Sequence, residues 1–456
     1  MTAPLPLPDV PVEAVEPRPN RRPIDNRVLY GLTALLMFCV LAFGGREPWA
    51  IFAFQAGAAI LFLIWLLKQM GQADKPNFRW NPLFAPMLAF ASLICIQLIP
   101  GVSAYWHATY SQLLQFVAYG IVCWLLVQTL THSRQVRRIG YALTIFGISV
   151  AVFAVVQNLS SPHKLYWLLT PRFGGWIYGP YVNHNHYAGL MEMLVPIPLV
   201  FAFSRFAHQR ERWIAASAAA FMSATIFLSG SRGGMIALAM QIVLFLYFVV
   251  RERQKENVAI LLGGFLLIGV AVIAWSGGRE VSTRIATLAA DKRSEVSPDV
   301  RMQIDRDTLK MALQRPILGW GQGTFPEVYP RFRSFYTDSL VNAAHNDYLQ
   351  ALAETGIVGF GIMIWFLVSA LRPAARKSKT WTSDLNGAVS VAAILGISGI
   401  LVHSLVDFNM QLPANAAVFY SLCTVAAMEP RFTHYRRGHH KPETGLPTES
   451  PVPVNA

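Results

Sequence analysis

Apolar runs of membrane-spanning length recur along the whole chain and limit its fold more than any other feature. Each run approaches the about 20 residues that cross a bilayer as an α-helix. In lipid, only helices and closed barrels satisfy their own backbone polar groups, and runs without period-two alternation favour helices. The sequence therefore predicts an all-α integral membrane protein with about twelve transmembrane helices. The runs are 28–44, 49–67, 82–99, 113–130, 139–157, 187–204, 214–229, 235–250, 258–276, 354–371, 387–406 and 414–428.

Polar segments divide the chain further. The ends, 1–26 and 433–456, are rich in proline and polar residues, and we expect disordered tails there. Between them, 27–432 forms the polytopic membrane domain. Inside that domain, residues 277–347 are a long polar stretch between the ninth and tenth runs. Because such a loop is costly to order unless it has a function, we expect the chemistry of the protein there.

Two helices are expected within this long loop. The stretch 298–315 reads as an amphipathic helix that begins at Pro298 and is stopped by Pro316. A glycine-rich turn follows at 319–323, and 343–354 is expected to form the second helix. The apolar side of the first helix is predicted to consist of Ile304, Leu309, Met311, Ala312 and Leu313.

Basic residues predict the orientation of the chain in the membrane. Lysines and arginines follow every even-numbered run, whereas the short odd-numbered loops are poor in them. Because cytoplasmic loops carry the basic excess, both termini are predicted to be cytoplasmic and 277–347 to lie on the outer face. The net charge of +13 then sits mostly on the cytoplasmic rim. It favours contact with anionic membrane lipids over nucleic acid.

His345 is the best candidate for a general base, since it is the one histidine of the long loop. A histidine titrates near neutral pH and can accept a proton from a sugar hydroxyl as that hydroxyl attacks. A helix-capping or hydrogen-bonded structural histidine explains the same pattern equally well. Asn346 and Asp347 follow directly and are candidates for binding substrate.

Arginines near the same face are candidates for binding an anion. Arg232 lies in the short connection between the seventh and eighth runs, with glycines around it, close to the hydrocarbon boundary. A charge there is costly and usually faces a cavity or a partner, although a snorkelling arginine is the alternative. Arg301 is one of five arginines between 301 and 333 in the long loop, most of which are expected to be solvated or paired. The arginine fork suits phosphate and carboxylate.

A polar knot precedes the sixth run. Its members are Asn183, His184, Asn185 and His186, and aromatic residues come just before them. Together they predict a sugar-binding surface, with an interfacial aromatic belt as the alternative.

Further polar residues lie within or beside the later runs. His403 and Asp407 are one turn apart, so we expect them on one helix face, as a structural pair or as a pair that orients substrate. Glu192 lies inside the sixth run and needs a partner or a water-filled cavity. The sequence carries no convincing metal-site pattern and no nucleotide-binding motif, so it predicts neither a metal nor a cofactor.

Several of these stretches, taken in order, resemble the O-antigen ligase/polymerase family of polytopic bacterial glycosyltransferases. The resemblance covers about 170–410. The stretches that carry it are Leu228-Ser229-Gly230-Ser231-Arg232-Gly233, Arg301 upstream of 315–325, His345-Asn346-Asp347-Tyr348-Leu349-Gln350 with 354–359, and the sixth-run entry at 182–189.

The resemblance implies an activity and a location. It implies about twelve spans with a large helical periplasmic loop, in the bacterial inner membrane. Such enzymes move a glycan from an undecaprenyl-diphosphate donor to a lipid or glycan acceptor, commonly with inversion and without a metal. Carried onto this chain, the resemblance makes His345 the base and assigns the diphosphate to Arg232 and Arg301, with Arg172 as a third contact.

Other functions fit parts of the pattern. Within the family, an O-antigen ligase-type enzyme and a repeat-unit polymerase share these motifs. A transporter predicts charged residues near the membrane midplane and broken helices, and the sequence shows few ionisable residues deep in the runs. A non-catalytic scaffold for polysaccharide assembly leaves His345 and the arginines without a role.

Overall fold

The structure, a computed structural model, describes residues 24–71, 78–171, 176–252, 263, 298–337 and 340–429. Within these ranges the chain is helical, with two isolated β-bridges and no strand. We number the described helices α1 (Ile24–Leu41), α2 (Pro48–Met70), α3 (Phe84–Gln97), α4 (Trp106–Thr129), α5 (Ser133–Ser160), α6 (His184–Leu194), α7 (Pro196–Phe203), α8 (Gln209–Ser229), α9 (Arg232–Arg251), α10 (Pro298–Gln314), α11 (Phe325–Val328), α12 (Asp347–Lys377), α13 (Leu385–His403) and α14 (Pro413–Ala427).

The described helices include eight that are long and apolar enough to cross a membrane: α2, α4, α5, α6 with α7, α8, α9, α12 and α13. Shorter apolar helices, α1, α3 and α14, match three more predicted runs. The protein is therefore an α-helical, multi-pass membrane protein. The predicted run 258–276 and the predicted tails lie outside the described residues, apart from residue 263 and the start of α1. The count of twelve spans thus stays a prediction, as does the side of the membrane on which each loop lies.

One span forms the centre of the bundle. The segment His184–Phe203, which contains α6 and α7, is 89% buried in its most apolar window, whereas Pro48–Met70 is 22% buried. Alanines on α8 allow close approach to α6 and α7, as small residues do in membrane bundles. α13 packs against α6, α7 and α9. The first residues of α6 are therefore buried among neighbouring helices.

The predicted amphipathic helix is present as α10, but its packed side differs from the prediction. Of the predicted apolar side, Ile304, Met311 and Ala312 are buried, whereas Leu309 and Leu313 are 44% and 68% exposed. Ile304, Thr308 and Met311 follow the i, i+4, i+7 spacing of one helix face, which is the side that packs. Asp307 is also buried there, because its Oδ2 accepts hydrogen bonds from the backbone and hydroxyl of Ser334, both at 2.8 Å.

α12 begins later and runs further than predicted. Residues 343–346, expected to be helical, precede the helix, which starts at Asp347 and continues to Lys377. It is interrupted at Gly356, whose φ of 63° and ψ of −169° are not helical. At this break Ile357 N donates to Pro316 O at 2.8 Å, and Val358 N donates to Ile317 O at 3.3 Å. A loop from elsewhere in the chain thus supplies the acceptors that the broken helix lacks.

The same loop is fixed by a buried carboxylate. Glu354 accepts hydrogen bonds from Gly323 N at 2.9 Å and from Phe325 N at 3.1 Å. Gln97 at the end of α3 donates to Leu318 O at 2.7 Å and to Glu354 O at 2.9 Å. We call residues 316–323 together with 353–358 the clasp. Two of the stretches that carry the family resemblance therefore lie against each other and hold α3, α10 and α12 together.

Candidate functional site

His345 lies at the start of α12 with an unusual backbone. Its φ is 56°, in the left-handed region that a non-glycine residue occupies only when its surroundings hold it there. The next residue, Asn346, caps α12: its side chain accepts from Tyr348 N and Leu349 N, both at 3.2 Å. The cap fixes the chain direction, and the positive φ turns the imidazole away from the helix.

Two residues of one turn orient the imidazole. His345 Nδ1 lies 3.6 Å from Asp407 Oδ1, slightly beyond hydrogen-bond length. The ring of Phe408 meets His345 edge-on, with centroids 4.8 Å apart. On its other side Phe408 meets His186 at 4.7 Å. His345 retains 16% side-chain exposure, whereas Asp407 has 1%, so the histidine is the member of the pair that a substrate can reach.

Asp407 is a buried carboxylate surrounded by imidazoles. Burial raises the pKa of Asp407, but His345, His186 and His403 around it lower the pKa by more, so it lies below its ordinary value. Asp407 Oδ1 also accepts from Phe408 N at 2.8 Å. Asp407 therefore stays ionised at neutral pH and can hold a proton-bearing Nδ1 of His345.

The expected pairing of His403 with Asp407 is not formed. α13 ends at His403, so the i, i+4 spacing that would place both residues on one face does not apply. His403 Nδ1 instead contacts Glu192 Oε1 on α6 at 2.8 Å. Glu192 thus has the partner that its position in an apolar run demands. An added Cβ at Gly233 would lie 2.7 Å from His403 Nε2, so the first turn of α9 packs directly on this pair.

Two of the predicted arginines lie around the same turn. Arg232 is the first residue of α9, and its neighbour Gly233 approaches the side chain of Val406. Arg301 on α10 donates from Nη1 to Val406 O at 3.3 Å. Both arginines are thus close to the turn that carries Asp407. Arg172 lies outside the described residues.

Asp305 ties α10 to the site. Burial raises the pKa of Asp305, while His345, Arg301 and a hydrogen bond with Asn346 lower it in part. Asp305 therefore lies near both the candidate base and a candidate phosphate ligand.

Asp347 has structural partners. Its Oδ2 accepts from Ser404 Oγ at 2.9 Å and from Met410 N at 3.0 Å. The backbone N of Asp347 donates to Ser404 O at 3.0 Å. These contacts fix the segment 404–410 against the start of α12 and so set the distance between Asp407 and His345.

The polar knot before the sixth run is largely inside the protein. Asn183 caps α6 by accepting from Asn185 N at 2.8 Å. His184, Asn185 and His186 are each less than 10% exposed. His184 packs against the ring of Trp176 with centroids 4.6 Å apart. The knot supports the turn around Phe408, and only Asn183 among its four members is half-buried.

The arrangement offers a base, an ionised carboxylate behind it and the Arg301 guanidinium on the same turn, and α9, which begins at Arg232, packs against that turn. Among the described residues, no three His, Cys, Asp or Glu side chains are grouped to hold a metal ion. Phe408, Asp305 and the pairing of His345 with Asp407 were missed by sequence reasoning. The left-handed backbone of His345 was missed as well: histidine enters that region more often than most residues, but its residue type alone does not predict it.

Comparison with known proteins yields a partial match. Residues 217–364 match the family model described as O-antigen ligase. No curated protein matches the chain. The matched range includes α9, α10, the clasp and His345, whereas Asp407, Phe408 and the polar knot lie outside it.

Proposed function

We propose that this protein, whose residues 217–364 match the O-antigen ligase family model, transfers a glycan from an undecaprenyl-diphosphate donor to an acceptor hydroxyl. It acts as an O-antigen ligase-type enzyme of surface polysaccharide or lipopolysaccharide assembly, at the periplasmic face of the inner membrane. The observation that carries the proposal is the position of His345 Nδ1, 3.6 Å from the buried carboxylate of Asp407, next to Val406, whose carbonyl oxygen accepts from Arg301.

His345 acts as the general base. A proton on Nδ1 faces Asp407 Oδ1 and leaves the Nε2 lone pair for the acceptor hydroxyl. The Nδ1–Oδ1 separation of 3.6 Å needs to shorten by only a few tenths of an ångström to become a hydrogen bond, as catalytic contacts often do when substrate binds. Asp407 is a positioning residue: it fixes the tautomer and stabilises the imidazolium that forms.

The transfer is a single displacement. The acceptor oxygen bonds to the anomeric carbon while its proton passes to His345 Nε2. The bond from that carbon to the diphosphate oxygen breaks, and the electron pair leaves with the diphosphate. Attack from the face opposite the leaving group inverts the anomeric configuration.

Arginines stabilise the departing diphosphate. Arg232 and Arg301 present forks that match phosphate oxygens, and Arg172 joins them in this proposal. The N-terminus of α9 adds a favourable dipole, because Arg232 is its first residue. Fixed positive charge near the leaving group is the largest catalytic contribution expected here. With these groups the reaction needs no metal ion.

A reconstituted assay tests the proposal. Purified enzyme in vesicles, given undecaprenyl-diphosphate-linked glycan and a membrane extract as the source of acceptor, should produce glycosylated acceptor and free undecaprenyl diphosphate. Activity should survive EDTA. Donor that remains intact in the presence of folded enzyme and every acceptor fraction would contradict the proposal.

Gene deletion separates ligase from polymerase. A ligase predicts loss of long surface glycan with lipid-linked polymer accumulating. The alternative activity of the family, a repeat-unit polymerase, predicts a single repeat left on its acceptor. Gel profiling of surface glycan distinguishes the two.

A further inference from the structure

An apolar cleft lies between α5 and the helices α1, α13 and α14. Its volume is about 300 Å³, and α6, α7 and α8 complete its walls. The candidate base His345, its partner Asp407 and the two arginines Arg232 and Arg301 do not line it. The transfer chemistry proposed above therefore leaves this cleft without a role.

The interior of the cleft offers little to water. Three hydroxyl groups reach its wall, and each already donates to a backbone carbonyl of its own helix. An apolar cavity without free polar partners stays dry and takes apolar guests. The three bonds run from Thr33 Oγ1 to Leu29 O at 2.9 Å, from Thr144 Oγ1 to Gly140 O at 2.8 Å and from Ser421 Oγ to Ala417 O at 2.7 Å.

The dimensions and the opening of the cleft fit one acyl chain. Along α5 the lining runs from Val136 to Phe146, a rise of about 15 Å at ~1.5 Å per residue. This is half of the about 30 Å hydrocarbon core, the depth of one leaflet. Two lining residues, Tyr141 on α5 and Ile214 on α8, are 42% and 60% exposed. Both helices are long and apolar enough to cross a membrane, so the cleft opens towards lipid.

One end of the cleft carries two opposite charges. Arg137 and Glu211 both line it, and both act electrostatically on the hydroxyl of Tyr141. The Arg137 guanidinium lies over the ring of Phe206, 5.4 Å from its centroid. Glu211 Oε2 accepts from His208 N at 3.1 Å. Neighbouring groups therefore hold both charges at the mouth.

The two charges do not neutralise each other by contact. Among the described residues, neither Arg137 nor Glu211 forms an ion pair. A charge close to the hydrocarbon boundary is costly and usually faces a partner. The mouth therefore offers a cation and an anion side by side to a ligand that carries both charges in the opposite sense.

The position of the mouth selects the leaflet. Arg137 lies in the first turns of α5, which begins at Ser133 and also carries Arg134 and Arg138. This basic end is the one that the sequence predicts to be cytoplasmic. The occupant is therefore expected to come from the leaflet on that side, whereas the glycan transfer is proposed for the opposite side.

We propose that the cleft binds a zwitterionic phospholipid whose cationic group is a primary ammonium. The phosphate contacts Arg137, the ammonium contacts Glu211, and one acyl chain fills the apolar interior. A primary ammonium donates hydrogen bonds to a carboxylate, whereas the quaternary ammonium of a choline headgroup has no N–H to donate. An anionic lipid satisfies Arg137 but leaves Glu211 beside a second negative charge.

Native mass spectrometry tests the headgroup preference without requiring turnover. The full-length protein in detergent is titrated with dioleoyl phosphatidylethanolamine, phosphatidylcholine and phosphatidylglycerol in turn. We expect the first of these to bind about tenfold more tightly than the other two, the effect of one charge-assisted contact. Equal affinity for the three lipids would overturn the proposal.

Gly140→Leu tests whether the lipid binds in the cleft. An added Cβ at Gly140 meets only Ile197 Cγ2, at 3.9 Å, so a leucine there fills the cleft without a clash. Gly120→Leu is the matched control, because Gly120 lies on α4 outside the lining and a Cβ there meets nothing within 4 Å. Leucine is the better helix former, so both variants should fold.

The two glycine variants should then differ in binding. Gly140→Leu should weaken phosphatidylethanolamine binding about tenfold or more, and Gly120→Leu should leave it unchanged. The same lipid should raise the unfolding temperature of wild type and of Gly120→Leu, but not of Gly140→Leu, since a ligand stabilises only the state that binds it. Wild-type affinity in folded Gly140→Leu protein would overturn the site.

Charge variants separate the two headgroup contacts. Arg137→Gln should weaken the binding of phosphatidylethanolamine and of phosphatidylglycerol about tenfold each, since both carry the phosphate. Glu211→Gln should weaken phosphatidylethanolamine about tenfold and leave phosphatidylglycerol equal or tighter. Arg210→Gln, at an exposed position outside the lining, is the control and should change neither. A parallel loss of both lipids in Glu211→Gln would contradict the ammonium contact.

Photo-crosslinking locates the chain. Phosphatidylethanolamine with a diazirine in one acyl chain is irradiated with the full-length protein in phosphatidylcholine nanodiscs. Peptide mass spectrometry should place the label on lining residues of α1, α5 and α13. Label spread evenly over the lipid-exposed helices would contradict the cleft as the site.

Discussion

His345 is held by its backbone, by Asp407 and by Phe408 at the same time. A φ of 56° costs of order 1 kcal/mol or more at a non-glycine residue. The side chains of Asn346 and Asp347 fix the start of α12, directly after His345. Strain supported by so many neighbours is typical of a residue whose orientation matters for chemistry.

His345→Ala should lower the transfer rate by about 10²–10⁴-fold while the protein still folds, because the acceptor hydroxyl loses its base. The measurement is the rate per folded enzyme with lipid-linked donor. His163→Ala, at an exposed position in another loop, is the control. Turnover within a few-fold of wild type would sink the assignment of the base.

Arg232→Lys should impair transfer strongly and leave expression unchanged, since lysine keeps the charge but loses the fork for two phosphate oxygens. Transfer rate and folded yield are compared with those of Arg331→Lys, a substitution at an exposed arginine of the long loop. If the Arg232→Lys enzyme transfers glycan at a near-normal rate, Arg232 is an interfacial anchor only.

For single residues, the sequence predicts which side chains are candidates for the functional site better than it predicts their contacts. His345 and Arg232 stand out by residue type in an apolar chain. The partner of His345 does not, because Asp407 is far away in sequence and lies after a helix end that the apolar pattern fails to mark. The spacing of His403 and Asp407 pointed to the wrong pair for that reason.

Among the helices, α12 depends most on a single residue. Gly356 has φ 63° and ψ −169°, a region that only glycine occupies readily, and an added Cβ would lie 2.3 Å from Ile317 O. The sequence predicts a helix that ends at 354 and an apolar run that begins there, two residues before the break at Gly356. It could not show that the helix continues through the break, since the acceptors come from the clasp.

Gly356→Ala should destabilise the protein by about 1–3 kcal/mol or more, through backbone strain and collision with Ile317 O. Thermal unfolding in detergent measures the change. Gly361→Ala, in the same helix, is the matched control: a Cβ there meets nothing within 4 Å, so its midpoint should stay the same or rise slightly. Equal midpoints for the two variants would contradict the structural role of the break.

For the molecule as a whole, apolar run length predicted the helical membrane fold, because the bilayer sets a minimum length that the sequence shows directly. Burial was not predictable in the same way. The run of α2 is more apolar in sequence than that of α6 with α7, yet α2 lies at the edge and the less apolar run lies at the centre. Packing among helices, not hydropathy, decides which apolar face meets lipid.

Both termini are predicted to be cytoplasmic, with the long loop on the opposite side. Cysteine labelling checks this after the four native cysteines are replaced. A cysteine at Leu340, which is 77% exposed, should react with an impermeant reagent in intact spheroplasts. One at Met70, which is 75% exposed, should react only after lysis. The reverse pattern would invert the topology.

The clasp has a consequence for how the protein is made. The loop 316–323 leaves the ribosome before α12, and it supplies the acceptors for Ile357 N and Val358 N. Those amides would otherwise enter the bilayer without partners, which is costly. Biogenesis of α12 therefore depends on a segment translated earlier, and lesions in that loop should reduce the amount of protein in the membrane rather than its specific activity. Inactive variants would then fall into two groups. In one group the amount of protein in the membrane is reduced, and in the other the transfer rate per folded enzyme is reduced.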